Sequence, residues 1–180
     1  MGRAIIGYGA GLGLLTLAGL LLGIEGPGSQ AITQFNLFIV LLKAYTPLLT
    51  PFSSILGYPI LGGSQSLGPL PLLIWIAIGC LLGILLRSGG GAAKAMFLTS
   101  ATILILWIGS LFFSAPAWPD QRSWLMAISN LSNDLISRPI DLGFILLGPM
   151  LVSAIIGQLT GEISSRLVQE KELEERYRLY

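Results

Sequence analysis

Four apolar runs, at residues 4–24, 71–86, 95–114 and 140–163, constrain this chain more than any other feature. Each approaches the roughly 20 residues a helix needs to cross the hydrocarbon core of a bilayer. In that medium every backbone N–H and C=O must be satisfied within the protein, and a continuous apolar run achieves this as an α-helix. Hydrophobic residues make up 53% of the 180 positions and charged residues 11%, against about a quarter charged in soluble domains. The expected fold is therefore all-α: a polytopic membrane protein with four transmembrane helices and two short interfacial helices, in contact with membrane lipid.

Composition also excludes function classes. A net charge of +1 gives no case for nucleic acid. The chain has no histidine and a single cysteine, Cys80, inside an apolar run. A disulfide within the chain is thereby ruled out, and the usual ligands of zinc, haem or copper are missing, so no cofactor or metal is expected.

The first half, residues 1–86, begins with Arg3 and a glycine-rich apolar run. A basic start before an apolar stretch also fits a signal peptide, but a run of this length favours a retained span. Residues 30–45 predict a helix too short to span, lying in the interface or dipping partway in, and Pro47, Pro51, Pro59, Pro69 and Pro71 predict an irregular cap. Residues 87–94, Arg-Ser-Gly-Gly-Gly-Ala-Ala-Lys, predict a flexible basic hinge. In the second half, residues 95–163, Trp124, Ile128, Leu131 and Leu135 recur at helical spacing opposite Asn130, Asn133 and Asp134. That pattern predicts an amphipathic helix over 121–137 with Asp120 as its N-cap. Pro139 ends it, and Gly148-Pro149 predicts a kink in the last span. From Glu162 into the charged tail, residues 164–180, opposite charges recur at i, i+4, such as Glu162/Arg166 and Lys171/Glu175, which predicts that the last helix continues into water.

Arg3, Arg87, Lys94 and Arg166 fall at span ends that four crossings place on one face, so both termini are expected to be cytoplasmic. Setting Arg3 over Lys94 aligns span, proline turn, short helix and span in the two halves. That order predicts a tandem parallel repeat of the kind found in some transporters. The same order occurs in the YggT family, whose proline segment Tyr45-Thr-Pro-Leu-Leu-Thr-Pro-Phe52 loosely resembles. Ser53-Ser54 stand where that family has arginines, and no residue role is carried over.

Small residues four apart bring helices together in lipid. The expected packing positions are Gly9 and Gly13, Gly79 and Gly83, Gly157 and Gly161, with Gly7/Gly11 and Gly19/Gly23 at the same spacing. Leu173, Tyr177 and Tyr180 form a narrow apolar stripe on the charged tail, a candidate docking face for a partner subunit. Asp134, Arg138 and Asp141 cluster around Pro139 and are expected to be a solvated rim or a salt bridge pinning the short helix rather than a site. Nothing resembles a nucleophile with its base or a phosphate loop. The function expected is a non-catalytic membrane subunit of a larger complex, a hetero- or homo-oligomer, with a small transporter or channel as the alternative.

Overall fold

The computed structural model describes residues 2–22 and 37–178, with side chains up to Glu170. The protein is all-helical, with no strand among these residues. Helices α1 (Gly2–Leu22), α4 (Leu70–Leu86), α5 (Gly89–Phe113) and α7 (Pro139–Arg178) form a bundle. Its far end holds α2 (Leu37–Tyr45), a 3₁₀ turn (Thr46–Leu49), α3 (Pro51–Ile55) and α6 (Gln121–Ile136). α4 and α5 are central: α1 packs on one side of them and α7 on the other.

Three helices, α1, α5 and α7, are long and apolar enough to cross a membrane. α4 has 17 residues, about 25 Å at 1.5 Å per residue, and stands at the lower limit for a span. It is nonetheless held along its length. An added Cβ at Gly79 would lie 3.0 Å from the Pro149 carbonyl, and one at Gly83 2.9 Å from the Gly157 nitrogen. Gly157 and Gly161 in turn face the carbonyls of Ser88 and Arg87, at 2.9 and 2.6 Å from an added Cβ. Glycines on both helices thus let the α4 and α7 backbones approach without side chains between them.

On α1 the contacting face is Gly7, Gly11, Leu15 and Gly19, all buried. Gly7 meets Leu86, Gly11 meets Leu82 and Thr99, and Gly19 lies against the Ala44 carbonyl of α2. Gly9 and Gly13 point away, with nothing within 4 Å of an added Cβ. Two glycine stripes at the same spacing lie side by side on α1, and the bundle uses the other one.

The glycine-rich stretch is no flexible hinge. Only Arg87 and Ser88 separate α4 from α5, and Gly89-Gly90-Gly91 is the first turn of α5, because the Ser88 hydroxyl accepts from the Gly91 N–H at 3.1 Å. Gly89 sits close to the Ala154 carbonyl, where a Cβ would be 3.0 Å away, so packing overrides the low helix propensity of glycine. The helix expected over 30–45 is described from Leu37, residues 30–36 lying outside the described ones. It dips into the bundle: Ile39, Leu42, Ala44 and Tyr45 are buried between α1 and α5. As the i, i+4 charge pairs predict, the last helix continues into the charged tail: α7 is one helix of 40 residues with Pro149 inside it.

Candidate functional site

The far end of the bundle poses a problem of backbone hydrogen bonding. Residues 44–51 are all buried, yet α2 ends there in a 3₁₀ turn followed by α3, leaving carbonyls and N–H groups outside a regular ladder. Irregular backbone survives inside a membrane protein only where the protein itself supplies the partners. Two buried tryptophans do so. Trp75 of α4 donates its indole N–H to the Leu48 carbonyl at 2.8 Å, and Trp107 of α5 donates to the Thr46 hydroxyl at 2.9 Å. Thr46 passes its own proton to the Leu42 carbonyl at 2.6 Å. From α1, the Thr16 hydroxyl bonds the Tyr45 hydroxyl at 2.9 Å.

α3 lacks a cap of its own. Its N-cap, Thr50, directs its hydroxyl to Ser54, and Pro51 has no N–H. The missing acceptor comes from α7: Asp141 Oδ1 accepts the Phe52 and Ser53 N–H groups at 2.6 and 3.1 Å, and Oδ2 accepts the Ser53 hydroxyl. The Asp141 carboxylate is 1% exposed and also lies in the first turn of α7, where the helix dipole favours negative charge. Phe52 and Phe144 stack edge to face at 4.9 Å beside it.

The neighbouring Arg138 ties the α6–α7 corner. Its Nε and one terminal nitrogen donate to Asp134 at 3.1 and 2.8 Å, and the other donates to the Pro59 carbonyl at 2.8 Å. Between these walls lies a cleft of about 590 Å³, lined by Phe52, Leu56 and Tyr58 on one side and Arg138, Pro139 and Ile140 on the other. Its charged groups are all engaged within the chain, so the arrangement is a clamp that joins α3, α6 and α7. At the start of α6, Asp120 caps the Ser123 N–H at 2.6 Å. The Ser123 hydroxyl and N–H beside it hold the Asp120 carboxyl below the usual carboxylate range.

Two further clefts lie at the opposite end. Arg3, Ile6, Ile84, Leu85, Leu86 and Arg87 line a cavity of about 470 Å³ between α1 and α4. Across α4, Ile84 and Arg87 also line a groove against α7 with Thr160, Ile163, Ser164 and Leu167. Arg87 is the one described non-glycine residue at positive φ, 49°. It ends α4 in the left-handed geometry that glycine adopts more easily, at a cost on the order of 1 kcal/mol.

The residues singled out from sequence are thus dispersed. Gly79, Gly83, Gly157 and Gly161 share one seam, while Gly9 and Gly13 face outward. Leu173 and Tyr177 fall on the α7 backbone with side chains outside the described ones, and Tyr180 lies outside the described residues. The tryptophan grip and the Asp141 cap were missed. Tryptophan well inside an apolar run, rather than at its edge where it is enriched, was the available signal. No group of His, Cys, Asp or Glu able to hold a metal occurs among the described residues. Comparison with protein-family models, curated proteins and solved structures gives no match for this chain.

Proposed function

We propose that this chain is a four-span, non-catalytic subunit of a larger membrane complex, with α4 as the fourth span and both termini in the cytoplasm. The observation that carries this reading is the reach of α7. Among the described side chains, its last one bonded to the bundle is Ser164, to Arg87 at 3.3 Å, and the helix continues to Arg178. That is about 20 Å of rod beyond the bundle at 1.5 Å per residue. Leu167 and Val168 on it are each 55% exposed, and further along, Leu173 and Tyr177 stand four residues apart on a different face of the helix. An apolar stripe on a projecting charged helix suits docking into a groove of a partner. Gly9 and Gly13, open on the outer face of α1, offer a second close-packing surface within the bilayer.

Gentle solubilisation followed by native mass spectrometry tests the reading. A stoichiometric partner held by the full chain, and lost from a chain carrying Leu173→Asp and Tyr177→Asp, supports it. A monomer or homodimer alone overturns it. The second reading, a small transporter built of two parallel repeats, draws on the buried hydroxyls of Ser100 and Ser110, which have no hydrogen-bond partner among the described residues. Solute flux in proteoliposomes that falls on Ser100→Ala would favour it, and no flux across a broad solute panel would sink it.

A further inference from the structure

The stripe that packs α1 onto its neighbours begins with an arginine. Arg3 stands four residues before Gly7, on the same helix face, and Gly7 lies against Leu86 at the end of α4. Close approach at Gly7 therefore carries Arg3 to the cavity that Arg87 lines. Its other described lining residues, Ile6, Ile84, Leu85 and Leu86, are aliphatic, and none is acidic. The one salt bridge among the described residues is Arg138 with Asp134, at the far end. Arg87 gives one bond to Ser164, a neutral group. Two guanidinium groups brought to one apolar cleft, without a carboxylate, repel each other unless an anion joins them, and the guanidinium fork matches a phosphate.

We propose that this cleft binds an anionic phospholipid. Its phosphate lies between Arg3 and Arg87, and one acyl chain runs along Ile6, Ile84 and Leu85. Basic pockets between membrane helices take such headgroups. The groove on the other side of α4 shares Ile84 and Arg87 and accommodates the second chain. The inference concerns lipid alone and does not depend on the chain having a protein partner.

The test is native mass spectrometry of the full chain with equal amounts of phosphatidylglycerol and phosphatidylcholine of matched chain length. The wild-type chain retains phosphatidylglycerol in preference. R3Q and R87Q each lower that preference about fivefold, the factor for ~1 kcal/mol per basic residue, while K94Q, exposed on α5 outside the cleft, leaves it unchanged. Arg3 is exposed in the first turn of α1, so R3Q keeps the fold and decides the matter if R87Q unfolds. Unchanged preference in R3Q, an equal loss in K94Q, or displacement of the lipid by millimolar inorganic phosphate overturns the proposal.

Discussion

The two connections at the far end of the bundle hold corresponding places in the chain and are built in opposite ways. α2, its 3₁₀ turn and α3 enter the bundle, and every residue from 44 to 51 is buried. α6 lies on the rim, and of its 16 residues only Leu131 and Leu135 are buried. Each follows a helix long and apolar enough to cross a membrane, and each leads to a proline. The difference is in who supplies hydrogen-bond partners. α6 caps itself with Asp120 and satisfies its backbone along its own length. The inserted segment borrows from four other helices: Thr16, Trp75, Trp107 and Asp141 each come from a different one. A connection that leaves water must import its partners, and that makes it dependent on the whole bundle.

The contrast can be broken at several points. Gly19→Leu drives a side chain into the Ala44 carbonyl and should cost about 3 kcal/mol, since backbone cannot yield as a flexible side chain does. Gly13→Leu on the open face should change stability by less than about 0.5 kcal/mol. Thermal unfolding in detergent, followed by circular dichroism, compares them, and equal effects would mean that α2 is not locked. Asp141→Ala strands two N–H groups and a hydroxyl and should cost about 2–3 kcal/mol. Asp134→Ala, at a pair whose Asp side chain is 31% exposed, should cost below about 1 kcal/mol. A larger loss at Asp134 would reverse the ranking of the two connections. Trp107→Phe removes the donor to Thr46 and should cost about 1 kcal/mol, measured as a lower melting temperature, with the partly buried Trp124→Phe costing less.

The smallest effect sharpens the picture of α6. The Asp120 carboxyl is held below its ordinary pKa by Ser123, so its contribution is complete above the unfolded aspartate value of about 3.9 and lost as pH falls through the lower folded value. Titration of Asp120 by NMR should give a depressed midpoint in the wild-type chain, and Ser123→Ala should move it back up. A midpoint unchanged by that substitution would deny Ser123 its role.

The apolar runs were enough to place the bundle helices, because a long uncharged stretch has few alternatives in lipid. Spacing could not choose a face. Gly7/Gly11 and Gly9/Gly13 are the same pattern two residues apart, and the bulk of Leu82 and Leu86 on α4 decides between them. Three consecutive glycines suggest a loop by propensity, but the Ser88 cap and close contact with α7 make them helix. Asp141 after Pro139 suits an exposed first turn, and nothing local betrays that its donors, Phe52 and Ser53, lie 89 and 88 residues earlier.

That distance along the chain sets a timetable. At about 5–20 residues per second, Asp141 leaves the ribosome roughly 5–20 s after Phe52. Trp107 arrives part-way through the same interval. The inserted segment thus finds Thr16 already made, but waits for Trp75, Trp107 and Asp141 in turn. Until α7 is made, the nascent chain holds α3 with two N–H groups awaiting an acceptor, so the first connection closes only when the helix after the second one arrives.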